Sequence, residues 1–164
     1  MPIDIRPIAP EDIPAIVALA RTTWLDAYAE ILSLAQIDYM LAQRYDRARL
    51  MADIANPEKW LHQAFIDDVR AGFAACEIHK DEFKLDKLYI HPGMQRKGAG
   101  AALVAHAAAL AREHGYPGVI LAVNKNNAQA IRAYAKYGFQ VRNKTVTDIG
   151  DGFAMDDYIM IKPL

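Results

Sequence analysis

The chain has 164 residues, with 19 basic and 20 acidic side chains and a formal net charge of −1. This length predicts one domain, residues 1–164, that is large enough to bury a real hydrophobic core. The balanced charge argues against a nucleic-acid-binding surface, because the longest basic run is Arg96-Lys97.

Hydropathy and cysteine content predict a cytoplasmic protein that does not meet a membrane. The first residues lack the apolar core of a signal peptide, and the longest uncharged stretch, residues 98–111, is too short to span a bilayer. The lone cysteine, Cys76, excludes an internal disulfide, and its setting indicates buried filler. The histidines show no His-x-x-x-His or Cys/His cluster, so no metal site is predicted.

The first half of the chain predicts one strand, then helices, then strands. Residues 3–8 alternate between apolar and polar side chains, as a strand does, and Pro10 favours a helix start. Residues 34–54 predict a second helical region, with a break near Tyr45-Asp46. Three antiparallel strands follow, at residues 60–66, 69–78 and 83–90.

The second half predicts two helices and three strands. A helix at residues 99–114 leads to a strand at 119–123, which should lie parallel to the strand before the helix because a helical crossover joins them. A further helix, residues 127–137, precedes a closing antiparallel pair at 139–146 and 153–161.

The loop between the strand 83–90 and the helix 99–114 has the features of an anion-binding site. Glycines at a helix start let backbone N–H groups approach a ligand, and the helix dipole favours phosphate. A P-loop is excluded, since Gly98-Ala99-Gly100 is followed by neither lysine nor hydroxyl. A dinucleotide fingerprint is disfavoured, because Leu103 replaces its third glycine and Asn124 ends the next strand instead of an acid.

Two spaced motifs remain. Residues 95–100, Gln-Arg-Lys-Gly-Ala-Gly, resemble the (Gln/Arg)-x-x-Gly-x-(Gly/Ala) pyrophosphate loop of GCN5-related N-acetyltransferases (GNATs). Residues 124–139 resemble the downstream Asn-x-x-Ala-Ile-x-x-Tyr-x-Lys-x-Gly-Phe segment of the same family. The resemblance is strongest over residues 85–139. It implies the α/β (α+β) GNAT fold, a mixed, mostly antiparallel twisted sheet of about seven strands flanked by helices.

The resemblance also implies the reaction and the cosubstrate. We expect an acetyl-CoA-dependent N-acetyltransferase that transfers the acetyl group directly to a primary amine, polyamine or peptide amine through a ternary complex, without a metal. Main-chain groups of Leu88 and Ile90 would pair with pantetheine and the thioester oxygen, and Asn127 would serve as a helix N-cap or point its amide at the cofactor arm. The pyrophosphate would be held by backbone N–H groups of Gln95, Arg96, Lys97, Gly98, Ala99, Gly100 and Ala101.

The acid and the base of the reaction are predicted from the same resemblance. Tyr134 is expected to protonate the departing thiolate, although ordinary packing of its ring is the alternative. Many relatives have a Glu on the strand before the loop, where this chain has Lys84. Asp86, on the same strand face, and Glu77, on the adjoining strand, are therefore the candidate bases, directly or through water.

The acceptor site is predicted from acids and aromatics. Trp24 and Tyr28 in the first helix, with Asp156-Asp157 and other acids near the C-terminus, would suit a cationic substrate. The arrangement resembles PaiA-like spermidine/spermine acetyltransferases, although a turn and a packed helix face would explain it equally well. A non-catalytic coenzyme A-binding sensor of the same fold stays open as the alternative function, and a homodimer as an option for assembly.

Overall fold

The computed structural model describes residues 2–164, which form a seven-stranded sheet and five α-helices. The helices are α1 (Ile13–Tyr28), α2 (Leu34–Arg44), α3 (Arg47–Ala55), α4 (Ala99–Glu113) and α5 (Ala128–Lys136). The strands are β1 (Ile3–Pro7), β2 (Lys59–Ile66), β3 (Val69–His79), β4 (Glu82–Ile90), β5 (Gly118–Asn124), β6 (Gln140–Gly150) and β7 (Phe153–Pro163). The element order and the mixed, mostly antiparallel sheet confirm the predicted fold class.

Short polar contacts fix where the first helices begin. One turn of 3-10 helix, Pro10–Asp12, precedes α1, and the Asp12 carboxylate accepts a hydrogen bond from the Ala9 backbone N–H at 2.9 Å. The predicted break in the second helical region is confirmed at Tyr45-Asp46. There the Asp46 carboxylate accepts from the Arg49 backbone N–H at 3.2 Å and so caps α3.

The sheet has the strand order β1-β2-β3-β4-β5-β7-β6, and only β4 and β5 run parallel. These two strands pair at Phe83 with Val119 and at Lys84 with Ile120, and at no further residue of the described chain. Past these pairs the strands diverge and open a gap in the middle of the sheet. The predicted parallel pair is thus confirmed, and it is short.

A β-bulge interrupts β4 beside this gap. Lys87 lies opposite Ala75 and Leu85 lies opposite Cys76, which leaves Asp86 as the extra residue. The side chains of Asp86 and Lys87 therefore lie on the same side of the sheet, where the Lys87 ammonium is 5.7 Å from the centre of the Tyr45 ring. The bulge turns a charged pair towards α2.

Two apolar cores lie on the two faces of the sheet. One joins the strands to α4 and includes Phe83 and Leu103, while the other joins them to α1, α2 and α3 and includes Trp24 and Ile37. Cys76 belongs to the first core and is 4% exposed, and burial raises the pKa of its thiol to about 12. Its interpretation as filler is confirmed.

Two further observations concern residues 2–164. None of their helices combines the length and the hydropathy that crossing a bilayer requires. They also bring no three His, Cys, Asp or Glu side chains together in a group that could hold a metal ion.

Candidate active site

A cavity of about 470 Å³ lies between the diverging strands β4 and β5, next to the start of α4 and beside α5. Lys97 and Ala101, whose backbone N–H groups were predicted to bind the pyrophosphate, are exposed and do not line it. The other predicted cofactor-binding residues do line it: Leu88, Ile90, Gln95, Arg96, Gly98, Ala99, Gly100, Asn127 and Tyr134.

The loop before α4 has the backbone that an anion-binding turn requires. Gly98 is the N-cap of α4 and has φ +94°, in the left-handed region that favours glycine. The first hydrogen bond of the helix runs from the Ala102 N–H to the Gly98 carbonyl at 3.0 Å, so the N–H groups of residues 99–101 have no partner within the helix. Since Ala99 and Gly100 line the cavity, this end of it fits a phosphate group.

Gly100 allows a close approach at the same place. A Cβ added to Gly100 would lie 2.7 Å from the Tyr137 hydroxyl and 3.8 Å from Ile90. Glycine at this position therefore keeps the floor of the cavity open between α4, α5 and β4.

Tyr134 lines the cavity from α5 and packs its ring against Phe139, with ring centroids 5.7 Å apart. Burial and the nearby hydroxyls of Tyr28, Tyr89 and Tyr137 raise the pKa of the Tyr134 phenol. Tyr134 thus keeps its proton at neutral pH and can donate it into the cavity.

Asn127 caps α5 and also lies at the cavity. Its side-chain oxygen accepts a hydrogen bond from the Ala130 N–H at 3.2 Å, so the N-cap interpretation is confirmed. The same residue also lines the cavity.

A second cavity, of about 510 Å³, lies on the other side of the gap, between the first two helices and the β6-β7 pair. Trp24 and Tyr28 both line it, although Trp24 is only 1% exposed. The two cavities meet at side chains that line both of them, namely Tyr28, Asp86, Tyr89 and Ala122. The gap between β4 and β5 is therefore a passage in which molecules from opposite sides of the sheet can touch.

Asp86 lies at this meeting point but is held by cations. Its carboxylate is 2.8 Å from Lys87 Nζ, 3.2 Å from the Arg44 guanidinium and 3.6 Å from Lys84 Nζ. Burial alone would raise the pKa of Asp86. The three cations have the larger effect and hold the pKa well below its usual range. Asp86 is therefore ionised, and it is a weak acceptor of a proton from an amine.

Glu77, the other candidate base, lies opposite Lys84 in the β3-β4 ladder. It lines neither cavity. The structure does not bring Glu77 together with Tyr134.

The acids predicted near the acceptor are dispersed. Asp156 pairs with Lys125, and Asp148 accepts from the Gly150 backbone N–H at 2.8 Å in the β6-β7 turn. Asp157, which follows Asp156 in β7, instead lines the second cavity. The sequence grouped Asp157 with Asp156 at the acceptor site, and alternation, which turns neighbouring strand residues to opposite faces, is the signal that separates the two.

Asp157 differs from every other acid in the two cavities. It is 8% exposed, and its Oδ1 atom has no hydrogen-bond partner within residues 2–164. Burial raises the pKa of Asp157, while Arg44 and Lys84 lower it only in part. Asp157 is therefore a better proton acceptor than Asp86.

Comparisons with known proteins give one family. The family model described as "Acetyltransferase (GNAT) family" matches residues 18–139. The chain is 28% identical over 152 residues to the spermidine N(1)-acetyltransferase of Thermoplasma acidophilum, covering 90% of this chain and 94% of that protein. It is 32% identical over 157 residues to the peptidyl-lysine N-acetyltransferase YjaB of Salmonella typhimurium, covering 94% of this chain and 96% of that protein.

A solved structure agrees with these relatives. The crystal structure of the PaiA N-acetyltransferase from Thermoplasma acidophilum in complex with coenzyme A superposes with a TM-score of 0.86. The match is at 28% identity and covers 100% of both chains.

Proposed function

Because the chain belongs to the acetyltransferase (GNAT) family, it is an acetyl-CoA-dependent N-acetyltransferase, and we propose that its two cavities hold the two substrates of a direct transfer. The observation that carries the proposal is the passage between β4 and β5, where both cavities share Tyr28, Asp86, Tyr89 and Ala122. A thioester entering from one side and an amine from the other meet there, so that no covalent enzyme intermediate is needed.

The cavity beside α4 is the proposed site of acetyl-CoA. The free N–H groups at the start of α4 would bind the pyrophosphate, next to Gln95 and Arg96. The edge of β4 that faces the gap includes Leu88 and Ile90, whose main-chain groups would hydrogen-bond the pantetheine arm. The side chain of Lys97 lies outside the cavity, and we propose that it contacts the ribose phosphate of acetyl-CoA.

Tyr134 is the proposed acid. It lines the acetyl-CoA cavity and carries its proton at neutral pH, so it can donate that proton to sulfur as the carbon–sulfur bond breaks. Its position on α5, about two turns beyond the capping residue Asn127, fixes the phenol relative to the gap.

The acceptor is proposed to be an alkylamine, with spermidine first. A spermidine acetyltransferase matches 90% of this chain, and the second cavity offers Trp24, Tyr28 and Asp157 to a cation. Of the basic side chains in that cavity, Arg44 and Lys84 are paired with Asp86.

Peptidyl-lysine is the second candidate acceptor, favoured by the 32% identical relative. Basic residues at the rim, Arg49 and Lys80 among them, would then face the peptide around the lysine. The alternative of a module that only binds coenzyme A gains no support, because the two relatives named above are enzymes by name.

The setting of the enzyme is part of the proposal. We place it in the cytoplasm, as one catalytic domain without a metal. A measurement of the mass in solution distinguishes a monomer from a homodimer.

Release of thiol from acetyl-CoA tests the proposed function. The purified protein is assayed with spermidine, spermine, smaller diamines and a lysine peptide, each against a control without amine, and the products are identified by mass spectrometry. We expect amine-dependent release and a product heavier by one acetyl group. Tight binding of acetyl-CoA without release by any amine would overturn the proposal.

A further inference from the structure

A buried aspartate that has an unpartnered carboxylate oxygen, Asp157, lines the acceptor cavity. Oδ1 of Asp157 accepts no hydrogen bond from residues 2–164, although the residue is buried, with only 8% of its surface exposed. An unsatisfied buried carboxylate oxygen costs free energy of folding, so its presence calls for a donor from outside the chain. Resting on the function proposed above, we propose that Asp157 binds the acceptor amine and accepts its proton.

The position of Asp157 suits this role. Asp157 pairs with Asn124 of β5 and Thr145 of β6 across the sheet, which fixes its backbone on both sides. Its side chain lines the same cavity as Tyr28 and Asp86, the residues at which the two cavities meet. An amine held by Asp157 therefore lies on the acceptor side of the passage, facing the thioester.

The charged and titratable groups around Asp157 come from four elements: Tyr28 of α1, Arg44 of α2, Lys84 and Asp86 of β4, and Asp156 of β7. Arg44 and Lys84 are both engaged by Asp86, at 3.2 Å and 3.6 Å. Asp86 therefore takes up the cations that would otherwise neutralise Asp157. The Asp157 carboxylate is therefore left free to bind an incoming ammonium.

The proton balance of the transfer closes with Asp157 and Tyr134. The Asp157 carboxylate takes one proton from the alkylammonium, and the freed nitrogen lone pair forms the bond to the thioester carbon. The carbon–sulfur bond breaks with its electron pair on sulfur, which takes the proton of Tyr134. The second nitrogen proton replaces the one that Tyr134 donates, and Asp157 releases its proton to solvent. The net products are the acetylated amine, coenzyme A thiol and one proton.

The test compares Asp157→Asn with Asp156→Asn. The control removes the adjacent carboxylate of the same strand, which pairs with Lys125 on the other face. Amine-dependent thiol release is measured with spermidine and with the lysine peptide from pH 6 to about pH 10, close to the pKa of an alkylamine. Binding of acetyl-CoA and thermal unfolding of each variant are measured alongside.

We expect Asp157→Asn to lower kcat/KM for the amine at least about 100-fold at neutral pH, and to regain activity as the free amine loses its own proton near pH 10. Its acetyl-CoA affinity should stay within about twofold of the original chain, and Asp156→Asn should keep activity within about threefold. Asp157→Asn should also unfold at a higher temperature at neutral pH, because it removes a buried charge.

Four results would overturn the inference. Activity of Asp157→Asn within about threefold of the original chain would show that the carboxylate is not used. A loss that stays constant up to pH 10, or one that accompanies a lower unfolding temperature and weaker acetyl-CoA binding, would assign Asp157 a structural role. If the original chain acetylates no amine at all, the proposed function fails, and the inference fails with it.

Discussion

Asp86 and Lys87 are neighbours in a β-strand, yet their side chains meet on one side of the sheet, with Lys87 Nζ 2.8 Å from the Asp86 carboxylate. The β-bulge at Asp86 makes this possible, because ordinary alternation would place the two side chains on opposite faces. Lys87 is only 7% exposed, and Asp86 is its counter-charge. The β-bulge therefore lies at the place where the two cavities meet, because Asp86 lines both of them.

We predict that Asp86→Asn destabilises the fold by about 3–5 kcal/mol, because it leaves the buried Lys87 ammonium without its counter-charge. Urea unfolding measures the change. Asp38→Asn is the matched control, since Asp38 pairs with Arg21 at 3.0 Å on the surface and its loss should cost at most about 1 kcal/mol. An Asp86→Asn variant of unchanged stability and greatly reduced activity would instead identify Asp86 as the base.

Tyr134→Phe should lower kcat about 10- to 100-fold and leave the affinity for acetyl-CoA nearly unchanged, because only the proton donor is lost. Steady-state rates and isothermal titration with acetyl-CoA separate the two effects. Tyr116→Phe serves as the control, since Tyr116 packs on Phe83 with ring centroids 5.8 Å apart and lines neither cavity. Equal turnover of the Tyr134→Phe and Tyr116→Phe variants would remove Tyr134 from the mechanism.

Gly98→Ala should weaken acetyl-CoA binding at least about tenfold, because an L side chain at φ +94° costs about 1–2 kcal/mol and displaces the loop. The added Cβ would also lie 3.2 Å from Ile3. Gly115→Ala is the matched control, with φ +80° but nothing within 4 Å of its added Cβ. Both variants should lose similar stability in thermal melts. If both also bound acetyl-CoA equally well, the loop would be only a connection between β4 and α4.

The stability of the fold should fall in mild acid through His62 and His106. Their ring centroids are 4.2 Å apart, and burial, with the charge of His106, lowers the pKa of His62 to about 4. Since an unfolded histidine has a pKa of about 6.5, the unfolded chain binds more protons between these two values, and the free energy of unfolding decreases as pH falls through that window.

His62→Gln should reduce this pH dependence. The difference in unfolding midpoint between the variant and the original chain should be about 2–4 °C more favourable to the variant at pH 5 than at pH 7. The exposed His79 offers the control variant His79→Gln. Identical pH profiles for the original chain and His62→Gln would show that the histidine pair does not control acid stability.

Local sequence signals were sufficient for the elements of the fold. Pro10 before α1, the Asp46 cap between α2 and α3, and Gly98 before α4 act through backbone chemistry within a few residues, so they can be recognised in the sequence. The parallel placement of β5 followed from the handedness and length of its crossover. These features need no knowledge of distant contacts.

The electrostatics of the site could not be predicted in the same way. The sequence placed Lys84 and Asp86 on one strand face, and the structure shows them 3.6 Å apart. The bulge that adds Lys87 to this cluster, and the approach of Arg44 from α2, are tertiary features. The same applies to Asp157, whose burial depends on packing between β5, β6 and the helices.

The short β4-β5 ladder also has a mechanical consequence. Two residue pairs join a four-stranded half of the sheet, β1 to β4, to a three-stranded half, β5 to β7. A substrate arm that hydrogen-bonds along the gap would act as a missing strand and hold the halves together. At a concentration 100 times its Kd, such a ligand adds about 2.7 kcal/mol to the stability of the fold. Hydrogen exchange at the amides that border the gap should then slow whenever this ligand is bound. The catalytically active form of the sheet is therefore its more rigid form.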